Sequence, residues 1–414
     1  MDWEGLGFRD NPLDTDPIKQ KTLGLYVGHT EEIRLCGNVL AGKNVNLIIE
    51  GARGVGTTSF ANLMRFNAQE KKLYFTPQKE IRVEAGWTIE TLFAAIISNV
   101  VRGLEMAFEK KVRDNKQFQD AKAISNRIAE VYRVFGAQVG AYGFSAGVNY
   151  NKAPGIVTQP TIIPSNVLGE HLEELAHITK LLGFKNGLLI QLNNLDVGII
   201  HEEQHLKYLF NALRDYMQTD GISWILVGDI GLRSFIAQQV DRLDDILSHE
   251  VFIGALHEDA FKELIQRRVE HFRMNKNVEL PIDWSVMLYL HRLTKGRLRY
   301  VFGLLSRMLR VLRIGDLADK ISLDIAKPLI DNLIKERLKQ KNLSVVQEEV
   351  LKVIVNNAHC STSTLSKKTG KSASGISHLL KELEELRLLK RIKKGKSVTI
   401  YPVFDVVLAY KKGD

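Results

Sequence analysis

The chain has 414 residues, 45% hydrophobic and 25% charged, a composition that allows two or three globular domains, each with its own core. Its two cysteines, Cys36 and Cys360, are too few and too far apart for a disulfide scaffold or a cysteine-rich metal site, and they fit a reducing compartment. Of the net charge of +9, most sits at the end: residues 341–414 carry 14 Lys/Arg against 7 Asp/Glu, and the other 340 residues carry 43 against 41. A basic module on a nearly neutral body points to a polyanion, most simply nucleic acid.

The sequence opens Met1-Asp-Trp-Glu-Gly, without the basic and apolar regions of a secretory leader. No apolar run reaches the ~18 residues that a membrane span needs. No membrane association is therefore expected, and the cytoplasm is the expected location. Residues 1–45 read as an N-terminal segment. Asn11-Pro-Leu-Asp-Thr-Asp-Pro17 is turn chemistry, because each proline restricts the residue before it. A helix is expected from Thr30, with Thr30 as hydroxyl cap and Glu31 and Glu32 in its first turn.

Asn46–Glu50 is a short apolar strand. It runs into Gly51-Ala-Arg53-Gly54-Val55-Gly56-Thr57-Thr58-Ser59, and a helix is expected from Thr58 to Phe66. The spacing is that of a phosphate-binding loop, G-x-x-x-x-G-K-[ST], with Thr57 where the lysine belongs and Thr58 as the hydroxyl for magnesium. In such a loop backbone N–H groups point at the phosphates and the helix N-terminus adds partial positive charge. Threonine has no charge and a shorter reach than lysine, so Thr57 does not replace it.

Glu80–Glu84 alternates like a second strand, and Thr88–Phe108 and Phe118–Val134 have helical periodicity. Tyr142, Phe144, Ala146, Val148 and Tyr150 fall at period two, which reads as a hairpin inserted over residues 136–155. It serves either as an edge packed on the body or as a contact surface for a protein partner. A helix is expected at Val167–Leu182, then a buried strand, Gly187–Leu192, ending in Asn193, Asn194 and Asp196. Helix Glu202–Met217 and buried strand Ser223–Asp229 follow, with a last short strand at Glu250–Ile253. Strands separated by helices indicate an α/β fold with a parallel sheet flanked by helices. From Glu258 to Arg337 every segment reads helical.

Strand ends of this kind normally carry one carboxylate for magnesium and one to polarise the attacking water. Asn193 and Asn194 are amides, which are poor bases and bring no charge to a hard cation. Asp196 is either a displaced acid or the cap of the next helix.

These pieces, in this order, resemble the AAA+ P-loop ATPases, in the branch shared by archaeal origin-recognition initiators and STAND-type signalling ATPases. Tyr26-Val-Gly28-His29-Thr-Glu31-Glu32-Ile resembles the Val-Gly-Arg-x-x-Glu box ahead of the loop, with His29 for arginine. Gly51–Thr58 resembles Walker A, Leu188–Asp196 Walker B, and Trp224–Asp229 the sensor 1 strand. Leu293-Thr-Lys-Gly296-Arg-Leu-Arg299 resembles the sensor 2 element of a helical lid, which implies a place for Arg299 near the γ-phosphate. Arg242 sits roughly where such families keep an arginine finger; a surface ion pair is its other role. The resemblance implies a P-loop domain over residues 46–256, a lid over 257–341, and ATP or ADP with magnesium as ligands. The changes at Thr57, Asn193 and Asn194 put magnesium and hydrolysis in doubt.

Residues 342–414 read as three helices and a two-stranded hairpin, which resembles the winged helix-turn-helix that ends the initiator-type ATPases. The third helix starts at Ser372 and presents Ser372, Ser374, Ser377, His378 and Lys381 for base edges and phosphates. The wing holds Lys390, Arg391, Lys393, Lys394 and Lys396 and no acid between them, which suits sequence-independent backbone contact. The favoured reading is a DNA-binding, self-associating AAA+-like protein with a degenerate nucleotide site. Two others stay open: an active DNA-dependent ATPase, such as an initiator or mobile-element regulator, and a non-catalytic scaffold of an immunity complex.

Overall fold

Three apolar runs form the centre of a five-stranded parallel sheet, ordered β2-β3-β4-β1-β5. The strands are β1 (Asn46–Gly51), β2 (Ile81–Arg82), β3 (Leu188–Asn193), β4 (Ile222–Gly228) and β5 (His249–Ile253). Every residue of β3 and β4 is buried, as expected where helices cover both faces. Alternate residues serve opposite layers. Ile48, Ile190, Leu192, Trp224 and Leu226 join one core. Leu47, Ile49, Leu189, Ile225 and Val227 join the other.

The computed structural model describes residues 2–84, 86–135, 163–196, 200–312, 320–357, 360–386, 388–394 and 397–410. The hairpin expected over 136–155 and the wing turn at Gly395-Lys396 lie outside them. The chain divides into two units, one of Pro17–Val197 and Glu202–Gly254, the other of Met1–Asp16, Gly198–His201 and Ala255–Asp414.

In the sheet unit, α1 (Thr30–Leu40) and α2 (Thr57–Glu70) cover one face through Cys36, Leu40, Phe60, Ala61 and Met64. Helices α3 (Ile89–Val112), α4 (Lys116–Phe135), α5 (Ser165–Leu181), α6 (Ile200–Leu213) and α7 (Leu232–Gln239) belong to the opposite side. Helix α3 is long and apolar enough to cross a membrane by length and composition alone. Its apolar side chains Leu92, Phe93, Ile96, Ile97, Val100, Val101 and Leu104 are buried in the core instead.

Two local expectations are corrected. The second strand shrinks to Ile81–Arg82, because β2 is an edge with one short parallel partner. The cap of α1 is His29, not Thr30: His29 has φ 57° and Thr30 is already helical. The His29 ring explains this. Its Nε2 donates to the Gly254 carbonyl at 3.1 Å, and its Nδ1 accepts from the Tyr26 hydroxyl at 2.8 Å. Side-chain anchoring holds a backbone conformation that few L-residues adopt unaided.

The second unit contains the lid helices α8 (Glu258–Phe272), α9 (Trp284–Leu293), α10 (Leu298–Val311) and α11 (Leu323–Lys339). Residues 2–16 belong here. Phe8 is fully buried and bridges to Arg273, and the buried Arg268 donates to the carbonyls of Pro12 (2.6 Å) and Asp14 (2.7 Å). The terminal module follows as α12 (Val345–Val355), α13 (Thr362–Thr369), α14 (Ala373–Glu385), β6 (Leu389–Lys394), β7 (Ser397–Pro402) and α15 (Phe404–Tyr410). Each of its first three helices starts on a serine cap, Ser344, Ser361 or Ser372, each accepting from a backbone N–H at 3.2 Å. Each such cap is worth about 1 kcal/mol. Leu351, Ile354, Leu365, Ile376, Leu380, Leu383, Leu389 and Ile400 close its core, with Leu338 of α11 among them.

Both cysteines are free and buried. Burial pushes the Cys36 thiol up to about 12, and Cys360 is also raised by burial. A raised thiol pKa means less thiolate at neutral pH. Native protein at pH 8 is expected to resist alkylation at both positions, and guanidinium-unfolded protein to react at both, as read by intact-mass spectrometry.

Candidate nucleotide and nucleic-acid sites

The loop after β1 turns where its sequence demands. Gly54 (φ 94°) and Gly56 (φ 113°) adopt left-handed conformations that glycine takes without strain. Val55 N–H closes the turn on the Ala52 carbonyl at 3.1 Å, and its side chain is buried as an anchor. The first α-helical bond of α2 runs from Phe60 N–H to the Gly56 carbonyl, 2.9 Å. The N–H groups of Thr57, Thr58 and Ser59 therefore lie in the first turn, which the helix's own carbonyls do not serve. No side chain fits at Gly51, since a Cβ there would lie 2.4 Å from the Ile253 carbonyl oxygen and 2.8 Å from Thr57 Cγ2. At Gly56 a Cβ would meet nothing within 4 Å, so the start of α2 stays open. This backbone fits a phosphate group.

Among the loop's side chains, Arg53 is the one that carries charge. Arg53 is exposed at the outer part of the turn, and Thr57 and Thr58 are half-buried. Ser59 accepts from Ile18 N–H at 3.3 Å, and one turn on, Asn62 Nδ2 donates to the Ile18 carbonyl at 2.8 Å. Glu50, the carboxylate next to the loop, caps α7 by accepting from Gly231 N–H (3.2 Å) and Arg233 N–H (3.1 Å).

The register places the C-terminal ends of β1, β4 and β3 at one sheet edge, with β4 between the other two. Asn193 ends β3. It is 3% exposed, and its Oδ1 accepts from Gln191 Nε2 at 3.0 Å. Asn194 follows, exposed, with φ 64°, a left-handed position that asparagine tolerates better than most residues. Asp196 is half-buried. Among the described residues no group of three His, Cys, Asp or Glu could hold a metal ion. Magnesium requires oxygen donors, preferably charged. The one side-chain oxygen of Asn193 is already engaged, and the neighbouring acid Glu50 caps a helix. That leaves the neutral Thr58 hydroxyl and Asp196, three residues past Asn193, a poor donor set for magnesium.

In the terminal module, Ser372, Ser374, Ser377, His378 and Lys381 are all exposed along the first part of α14. Ser372 is spent as the cap, and His378 Nδ1 lies 3.1 Å from Glu382 Oε1. Lys367 and Lys368 are exposed on α13, and Lys368 Nζ donates to Asn357 Oδ1; the Lys-Lys pair in that helix was the signal in the sequence. In the wing, β6 and β7 pair from Leu389↔Pro402 to Lys394↔Ser397. Lys390, Lys393 and Lys394 lie on β6, and Lys396 is outside the described residues. Arg391 differs from its neighbours. Its Nε donates to Glu384 Oε2 at 2.8 Å and its backbone N–H to Glu384 Oε1 at 3.1 Å. A wing cation expected to meet DNA is thus paired with an acid of α14.

Searches against known proteins return solved structures alone: no family model matches the sequence, and no curated protein matches it. The ORC2 protein of Aeropyrum pernix, solved in ADPNP–ADP complexes, superposes with a TM-score of 0.50 at 12% identity, covering 98% of this chain and 97% of that one. Its ADP form gives 0.51 at 12% identity, covering 98% and 99%. The ORC1 protein of Aeropyrum pernix in complex with DNA gives 0.48 at 15% identity, covering 93% and 92%.

The chain has the fold of the Aeropyrum pernix ORC2 protein.

Within this fold, His29 stands ahead of the loop and ties that segment to the end of β5 through Gly254. In the lid, Lys295 (φ 51°) and Gly296 (φ 69°) form a left-handed turn before α10, and a Cβ on Gly296 would lie 2.5 Å from Ala255 Cβ. Arg299 follows, exposed, in the first turn of α10. Arg297 stacks its guanidinium 3.8 Å above the centre of the Phe404 ring, and the Tyr300 ring meets the same phenylalanine edge-on at 4.9 Å. Arg242 is exposed in the helical turn Asp241–Asp244.

Because Arg391 and Glu384 are mostly buried together, Arg391→Ala leaves Glu384 without its charge partner. It is expected to lower the unfolding free energy by about 1–3 kcal/mol, measured by urea denaturation.

Proposed function

We propose that this chain is a DNA-binding AAA+-like module in which ATP or ADP serves as a structural or switching ligand rather than as fuel. One observation carries this reading: the strand–turn–helix backbone of the phosphate loop is kept, while Thr57, Asn193 and Asn194 stand at its three charged positions. Losing one charge-assisted contact costs on the order of 1.5–3 kcal/mol. Binding then weakens by roughly ten- to a hundred-fold and persists. Phosphoryl transfer suffers more, because charge on the transferring group is what such sites stabilise. The ADPNP–ADP and ADP forms of the Aeropyrum pernix ORC2 protein support a nucleotide at this loop.

The DNA half of the reading rests on the terminal module. Capped helix α14 presents small polar residues at its N-terminal end, where a helix in the major groove meets base edges. Wing lysines Lys390, Lys393, Lys394 and Lys396 supply phosphate contacts that position without reading sequence.

The purified chain is expected to turn over ATP no faster than background, with or without DNA, in a phosphate-release assay. Turnover that disappears in the Thr58→Ala variant would sink this reading in favour of an active DNA-dependent ATPase. Changing Lys393, Lys394 and Lys396 together to Glu is expected to abolish DNA binding, or to reduce the slope of log affinity against log salt by about 3. Fluorescence anisotropy on a duplex across a salt series measures this, and binding indistinguishable from the unsubstituted chain would refute the DNA assignment.

A further inference from the structure

We propose that the phosphate loop takes a nucleoside diphosphate free of divalent metal, in preference to a triphosphate with or without magnesium. The inference rests on the reading of this loop as a nucleotide site, and concerns what the site accepts. Two cations that normally accompany the third phosphate are a loop lysine, here replaced by Thr57, and magnesium. Thr57 is uncharged. The oxygen of Asn193 is held by Gln191, and with 3% exposure the side chain has no freedom to turn towards a cation. Glu50 is locked on the N–H groups of Gly231 and Arg233. Phosphate-bound magnesium keeps several waters that need acceptors around them. At this sheet edge the two positions that would provide them, Asn193 and Asn194, carry amides, one engaged and one turned outward to solvent.

What the site keeps is suited to fewer charges. The turn at Gly54 and Gly56 and the first turn of α2 offer backbone N–H groups, which hold one or two phosphates without a counter-ion. Arg53 is the one charged residue of the loop itself, and it is exposed. A third phosphate adds negative charge that no fixed cation of the loop is placed to meet. Magnesium bound to the ligand withdraws phosphate oxygens from the backbone donors, and Asn193 and Asn194 bring no charge to hold it at this edge.

Isothermal titration of the full chain with ADP and with ATP, each in magnesium and in EDTA, tests the proposal. ADP is expected to bind as tightly in EDTA as in magnesium or more tightly, and ATP about tenfold more weakly than ADP in both, the loss of one charge-assisted contact. Magnesium tightening either nucleotide tenfold, or ATP matching ADP, overturns it. If neither nucleotide binds in either buffer, the nucleotide reading itself fails and this inference with it. In the Thr57→Lys, Asn193→Asp double variant, checked for folding by circular dichroism, ATP binding is expected to become magnesium-dependent. Binding still indifferent to magnesium would show that these two positions do not decide the preference.

Discussion

At the end of β1 there is no room for a side chain. The Ile253 carbonyl lies where a Cβ of Gly51 would sit, and Thr57 crowds the same point from the helix side. That close approach lets the chain leave the sheet, turn through Gly54 and Gly56, and enter α2 with its first N–H groups facing outward. The elements around it serve this passage. Val55 anchors the turn in the core, Ile18 is held by Ser59 and Asn62, and His29 ties the preceding segment to Gly254. The backbone of this loop is thus fixed by packing and hydrogen bonds that do not depend on a ligand.

The architecture therefore does not require charge at Thr57, Asn193 or Asn194. Lysine and carboxylates in such a site act on the ligand, and the fold does not lean on them. Thr57 sits at the open start of α2. Asn193 is absorbed into a side-chain hydrogen bond with Gln191, and Asn194 occupies a left-handed position that its amide tolerates. Each substitution is locally comfortable. An aspartate at 193 would instead be a buried carboxylate, which is costly unless a cation or donors compensate it.

The terminal module shows the converse. Its core and caps are ordinary, and Lys367, Lys368 and Lys381 of its excess positive charge are exposed. One charge of that excess is internal: Arg391 joins the wing to α14 through Glu384. The Arg297–Phe404–Tyr300 contact similarly spends a lid cation on packing against the module. Counting basic residues therefore overstates what is free to meet a polyanion.

The sequence by itself determined the glycine pattern of the loop, the apolar strands, the helical lid and the three-helix-plus-hairpin order of the terminal module. These follow from local rules: periodicity, caps and residues that alone tolerate a given backbone conformation. It also placed Thr57, Asn193 and Asn194 where the proposed nucleotide site would carry a lysine and carboxylates. Only the tertiary structure decided the strand order, with β4 inserted between β1 and β3, and the assignment of residues 2–16 to the lid through Phe8 and Arg268. The same holds for His29 as the residue that opens α1 and for the pairing of Glu50 with the start of α7. Each depends on partners far apart in the chain, brought together by sheet pairing and core packing. No short window of sequence contains both halves of such a contact.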